Sequence, residues 1–537
     1  MNGAARSVKT WSAEHICQTS GNASPEGEDR MSTELGPLRV VSPLDGKLVA
    51  EIPRTAPADM EARIAAAARA QPAWAALPIG ERIATLRRCR QAFHARVPKL
   101  VEAVRAETGK PMPEILGGEI IANLELFDFY IRNAARLLAP ERVPINPLNY
   151  PGKRGVIELR ALGVVGVLSS WNYPVALPMR AIVPALVAGN AVAFKPSVDA
   201  SLIGRELAAV FTETLPADLL VVGFGGREVS GVVIERADKV NFIGSVAVGK
   251  EIAKRCGERL IPCSTELSGK DAAIVLADAP FERTLNGVLW GAFTNAGQNC
   301  ASIERLYVED AIYDRFVPAL VERVKRLRIG DDVGPLRNDK QMRLVEEHVR
   351  NARETGSRIL AGGERVPGSL FFQPTVIEVA DRQATFMIEE TFGPTLPVVR
   401  VRDADEAIRE ANGAKFGLTG SIWTADLERA EALARRLEVG VATLNNCVFT
   451  GALASAPWGG VKETGHGVTN SRYGLLEMTR PAFVLTDRSS GAKETWWYPY
   501  GDELAALMRT VVAQLGGSLL AIARLPLLLP KVLKKHV

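Results

Sequence analysis

Between about residues 160 and 275, short apolar runs alternate with amphipathic ones. GVVGVLSS (163–170) reads as a buried strand and PMRAIVPALVAG (178–189) as a helix. NAVAFK (190–195), DLLVVGF (218–224), KVNFIG (239–244) and AAIVL (272–276) read as further strands. The stretch 199–214 opens at Asp199, whose carboxylate type suits an N-cap, and then puts Ile203, Leu207, Val210 and Phe211 on one face. Strands and helices in this alternation predict an α/β fold, a parallel sheet covered by helices, with ligands beyond the C-terminal strand ends.

The two ends depart from this pattern. Residues 1–36 are polar, carry Glu14, Glu26, Glu28 and Asp29, and lack the apolar run of a signal peptide. They read as a disordered leader, with Met31 as an alternative start. At the other end, Trp496, Trp497, Tyr498 and Tyr500 precede an uncharged stretch from Thr510 to Ala523. That stretch is shorter than the roughly 18 residues of a spanning helix, and Pro526 and Pro530 are expected to weaken a helix there. Aromatic residues before it and Lys531, Lys534 and Lys535 behind it suit a segment lying in a membrane interface. The alternative is a terminal helix packed on the protein or on a second subunit.

Composition narrows the classes further. The 537 residues are 47% apolar and 23% charged, which excludes a wholly disordered or collagen-like chain. Lys+Arg less Asp+Glu is 65 − 61 = +4, too weak an excess for a broad nucleic-acid-binding face. Six scattered cysteines include no C-x-x-C pair, so a disulfide framework and a dithiol redox motif are not expected, and a reducing compartment is. The five histidines show no metal-ligand spacing, so no metal is expected.

Candidate chemistry gathers around one cysteine. Cys300 sits in FTNAGQNCASIERL, among small and amide residues that leave sulfur and backbone N–H groups open to a ligand. Glu266 in TELSGK is a carboxylate that burial would turn into a base; the plainer reading is a salt-bridged surface glutamate. Asn172 in SSWNYP follows a strand end, where its amide can donate to an oxyanion, though asparagine is also common in such turns. Lys195 in AFKPS ends the next strand, within reach of a ribose or phosphate. GFGG (223–226) and GSVAVG (244–249) are not the usual dinucleotide fingerprint.

Taken in order, Asn172, Lys195, GS at 244–245, Glu266, Cys300, EETFGP (389–394) and PWGGVKETG (457–465) resemble the NAD(P)-dependent aldehyde dehydrogenase superfamily over about residues 39–487. The resemblance implies an aldehyde dehydrogenase-like α/β fold, two parallel-sheet α/β domains plus a small bridging oligomerisation flap. The cofactor domain would take 37–140 and 162–267, the catalytic domain 268–479 and the flap 141–161 with 480–488, leaving 489–537 as an apolar and basic extension. It also implies a homodimer or homotetramer, a cytoplasmic location and a small aldehyde as partner. Cys300 would be the nucleophile, Asn172 the oxyanion donor and Glu266 the base that activates water. NAD or NADP would be held by Trp171, Lys195, Ser197, Gly244, Ser245, Gly249, Glu390 and Phe392.

Departures from the family pattern bear on specificity. Val198 stands where NAD-preferring members often carry Glu, so nothing there repels a 2′-phosphate. Ser268 replaces a usual glycine. Thr294 stands where semialdehyde members can carry a carboxylate-binding Arg, which argues for an apolar aldehyde, and the apolar tail suits a lipid-derived one. The alternatives are a semialdehyde dehydrogenase, an enzyme passing the acyl group to coenzyme A (disfavoured by Glu266), a silent binding protein on the same fold, and a membrane scaffold acting through the tail.

Overall fold

The computed structural model describes residues 36–536 apart from 148, 490–493, 495 and 499. All but the last residue of the expected leader lies outside the described residues.

Two large sheets carry the molecule. In the first, strands run in the order Gly465–His466, Cys263–Glu266, Lys239–Ile243, Val164–Leu168, Ala191–Lys195 and Leu220–Val222. All pair in parallel except the first, which runs antiparallel to Cys263–Glu266. Val164–Leu168 is buried at every position, as a central parallel strand must be when helices cover both faces. The second sheet orders Arg358–Ala361, Thr375–Glu378, Thr395–Val401, Ile303–Glu309, Asp271–Val275, Thr419–Trp423 and Val441–Leu444. Only Arg358–Ala361 is antiparallel. The third is antiparallel: Thr479–Asp487 pairs with Lys153–Ala161, which pairs with Glu141–Val143.

The helix Ala176–Ala188 shows how the first core forms. Twelve of its thirteen residues are buried and the thirteenth is Arg180. A helix apolar all round belongs in the interior, so a lone cation on it must face something other than bulk solvent. Beside it, the helix expected from Asp199 starts later. Ser197 accepts a hydrogen bond from the Asp199 N–H at 3.3 Å and opens a 3-10 turn, Val198–Ala200, before the α-helix Ser201–Thr212. The capping carboxylate comes from another helix: Glu107 accepts from the Leu202 and Ile203 N–H groups at 3.4 and 2.9 Å. Asp199 is turned instead towards Arg337, 3.9 Å away. The predicted face is confirmed, with Ile203, Leu207, Val210 and Phe211 all buried.

The C-terminal extension forms two helices, Asp502–Leu515 and Leu519–His536. They meet through Leu504 and Leu507, with Val511, Leu525 and Leu528 packed against them. Contrary to expectation, the second helix runs through Pro526 and Pro530. Each proline removes one intrahelical donor; placed four apart, both losses fall on one side. Much of the pair's apolar surface is uncovered, with Val512 70%, Leu519 80% and Leu527 69% exposed. Among the described residues no helix is long and apolar enough to cross a membrane.

Candidate active site

Cys300 follows a turn with unusual backbone. Asn295 and Ala296 take left-handed φ values of 53° and 54°, and Gly297 follows at 69°. Side chains cost roughly 1–2 kcal/mol each in that region, so the turn persists only where its surroundings over-determine it. Three anchors do so. The Asn295 side-chain N–H donates to the Asn172 and Gln298 carbonyls at 3.1 and 2.8 Å. Gln298 donates to the carbonyls of Asn295 and Pro335, both at 3.1 Å. Glu114 accepts from the Asn295 N–H at 2.8 Å and the Thr294 hydroxyl at 2.9 Å. Gly297 is required for room as well, since a Cβ there would lie 2.1 Å from the Gly393 oxygen.

At the end of the strand Cys263–Glu266, the carboxylate of Glu266 reaches the cysteine turn. The Cys300 thiol donates to Glu266 Oε1 at 3.3 Å, and Oε2 is buried without a partner. Burial, and then the Glu266 charge, push the thiol well above its ordinary pKa, while Arg180 opposes them. Asn172 is 3% exposed, and its side-chain carbonyl oxygen is buried without a partner. Its turn is tied to the cysteine turn: Asn299 donates to the Tyr173 hydroxyl at 3.3 Å, and the Lys110 ammonium lies 3.9 Å from the centre of the Tyr173 ring. Lys110 pairs with Glu119 at 2.6 Å in full burial. The other Glu119 oxygen takes the N–H groups of Val175 and Ala176, fixing where the following helix starts.

Two chambers meet at this cysteine. A cleft of about 330 Å³ brings together Trp171, Asn172, Gly244, Ser245, Glu266, Cys300, Glu390 and Phe392. At one edge Ser245 begins the helix Val246–Glu258 without a side-chain cap, leaving first-turn N–H groups for an anion. Across the cleft, the ring of Phe392 packs edge-on against Trp171 with centroids 5.5 Å apart. The Gly269 N–H donates to Glu390 at 2.8 Å, and Ser268, the departure from glycine, lines the same cleft. Burial, then the nearby Glu304, raise Glu390 to about 8.

A buried ion pair beneath holds that wall. Lys270 donates to Glu304 at 2.7 Å, and Glu304 accepts from the N–H groups of Thr391 and Phe392 at 2.8 and 2.9 Å. Three candidates do not line the cleft. Ser197 caps its 3-10 turn, and Gly249 lies inside the helix, where a Cβ would meet Leu267 at 2.4 Å. Lys195 ends its strand in a place where burial lowers its ammonium to about 8 against the pull of Glu228 and Asp199.

The second chamber, about 370 Å³, is a tunnel with mostly apolar walls that include Tyr173, Leu177, Trp290 and Phe449. Cys300 is the one residue it shares with the cleft. Arg180, Glu114 and Trp458 also line it, each with a buried side-chain atom that has no partner: Nη1, Oε2 and Nε1. The Arg180 guanidinium lies 5.5 Å from the centre of a Trp458 ring. Thr294 lines the same chamber, and a cation stands there as well, contributed by a different element. The available signal was one charge inside an apolar helical run.

Residues 30–484 match the sequence profile of the aldehyde dehydrogenase family. The chain belongs to that family. Its aldehyde dehydrogenase fold is shared with an aldehyde dehydrogenase of Mycobacterium tuberculosis solved with NAD+, at a TM-score of 0.80 and 31% identity over 84% of this chain and 95% of that one. A 4,4'-diapolycopene aldehyde oxidase of Methylomonas is 36% identical over 86% of this chain and 88% of its own. A Mycolicibacterium smegmatis protein named for NADP(+) succinate-semialdehyde dehydrogenase activity is 35% identical over 86% and 90%.

Proposed function

We propose that this family member oxidises an apolar aldehyde to its carboxylic acid with NAD or NADP. The observation that carries this reading is the position of Cys300, alone between the two chambers and 3.3 Å from Glu266. Aldehyde enters by the tunnel and cofactor fills the cleft, so the two reactants meet only at the sulfur. The residues present fit a dinucleotide: an uncapped helix start at Ser245 for phosphates, Glu390 for a ribose, and Trp171 with Phe392 as apolar walls. When bound, the nicotinamide supplies the hydride acceptor.

The side chains do the rest. Glu266 takes the thiol proton, and the thiolate attacks the aldehyde carbon. The Asn172 amide and the Cys300 backbone N–H hold the oxygen as it gains charge. Once hydride has left, carbon and sulfur are joined as a thioester. Glu266, having passed the thiol proton on to solvent and with its second oxygen free, then deprotonates the water that opens it. Retention of this base favours hydrolysis over transfer to coenzyme A.

A semialdehyde is the second reading for the substrate. Arg180 and Trp458 favour it, because two unpaired donors side by side suit a second oxygen-bearing group. Absorbance at 340 nm decides, with NAD or NADP and alkanals of two to sixteen carbons set beside semialdehydes. A rise in kcat/KM with chain length supports the apolar reading; the highest kcat/KM on a semialdehyde, lost in Arg180→Ala, replaces it. No Cys300-dependent reduction with either cofactor refutes dehydrogenase activity and favours a silent binding protein.

Two surfaces belong to the same proposal. The edge strand Thr479–Asp487 exposes Phe483 and Leu485, and a second copy of the chain would cover them. From residue 504 to the end the chain has five Lys and Arg and no Asp or Glu. With its exposed leucines, this segment would rest on the anionic face of a membrane, making the enzyme cytoplasmic and peripheral.

A further inference from the structure

Glu114 has no part in the mechanism above, yet it touches both the nucleophile turn and the tunnel. It ends the short helix Met112–Glu114, just before the π-helical turns Ile115–Ile121, far in sequence from the cysteine. One oxygen accepts from the Asn295 N–H at 2.8 Å and the Thr294 hydroxyl at 2.9 Å. The other is buried, lacks a partner and lies in the wall of the tunnel. Asn295 is the first of three successive left-handed residues, and Cys300 follows three residues after the last. Two of the three are not glycine, so the turn would relax if nothing fixed the direction of the first peptide N–H. Its other anchors are side-chain amides, and among the described residues the Glu114 carboxylate alone takes that N–H.

We infer that Glu114 is a positioning residue: by holding the Asn295 N–H it keeps the left-handed turn that aims Cys300 at the junction of cleft and tunnel. This rests on the reading of Cys300 as the nucleophile, but the turn's geometry can be tested without aldehyde or cofactor. What matters is an acceptor oxygen at the right distance. Charge is secondary, so an amide of the same length should serve and a carboxylate one methylene shorter should not.

The test is the second-order rate of iodoacetamide alkylation at Cys300, followed by mass analysis of its peptide, in the full-length enzyme. Glu114→Ala and Glu114→Asp should each lower it about 10-fold or more, since a displacement near 1 Å at a reacting group can cost up to about 100-fold. Glu114→Gln should restore it to within about 3-fold of the parent. In turnover, the same two variants should lose kcat with KM for aldehyde nearly unchanged. A folded Ala or Asp variant alkylating at the parent rate overturns the inference. So does a Gln variant as slow as Ala, which would assign the effect to charge. If the Ala variant does not fold, the Asp and Gln pair decides alone. Should alkylation follow the expected order while no aldehyde is oxidised, the positioning role stands and the dehydrogenase reading fails.

Discussion

The contact between Cys300 and Glu266 sets a dependence on pH. A carboxylate 3.3 Å from a buried sulfur favours the protonated thiol. Removing that charge should therefore lower the thiol pKa, because less work is needed to place a second negative charge in the site. Glu266→Gln is expected to shift the pH profile of Cys300 alkylation towards acid, giving faster labelling at pH 7 despite the loss of the base. Stopped-flow absorbance at 340 nm should then show one rapid turnover followed by a slow steady state, because the thioester forms and waits for water. Cys300→Ala should lower turnover at least about 10³-fold without a change in melting temperature. A Glu266→Gln alkylation profile displaced towards alkali would mean the carboxylate acts on the sulfur in some other way.

Elements rather than single residues decide how the cofactor wall is held. The strands Asp271–Val275 and Ile303–Glu309 pair in parallel, and Lys270 and Glu304 sit side by side at their N-terminal ends. Both are buried, and Glu304 spends its oxygens on Lys270 and on the N–H groups of Thr391 and Phe392. Breaking such a pair from one side leaves a buried charge uncompensated, at about 3–5 kcal/mol. Glu304→Ala should lose stability of that order in urea titration and raise the KM for cofactor, since Glu390 and Phe392 lose their support. A stability loss with unchanged cofactor KM would separate the ion pair from the wall it underlies. The sequence singled out Glu390 and Phe392 through their motif. It gave no sign of Lys270 and Glu304 as partners, because their meeting depends on which strands are neighbours.

Across the whole molecule, the two exposed surfaces make separable predictions. A chain ending at residue 493 should keep its turnover of short soluble aldehydes and lose co-sedimentation with vesicles containing phosphatidylserine. Equal sedimentation of both forms would return the tail to the role of a packing element. Phe483→Asp on the edge strand should shift the mass measured by light scattering towards one chain, since a charge there would be buried unpaired against a second copy. An unchanged mass would remove that strand from the interface.

What the sequence by itself determined was the order of strands and helices, the motif residues and the family. Periodicity reports which face of an element is buried, and motifs report residue types needed at a site whatever surrounds them. The helix after Lys195 shows where that ends. Its buried face was legible, but its start was not, because Glu107 from another helix supplies the cap. Only tertiary structure put Glu114 on the cysteine turn, 180 positions ahead of Thr294 in the chain, and turned Arg180 into the tunnel. Thr294 stands where an Arg could have been, and a helix arriving from elsewhere brings a cation to the same chamber. Packing brings such groups together through distances that no local pattern encodes, and an unpaired polar atom can be recognised only once all its neighbours are known.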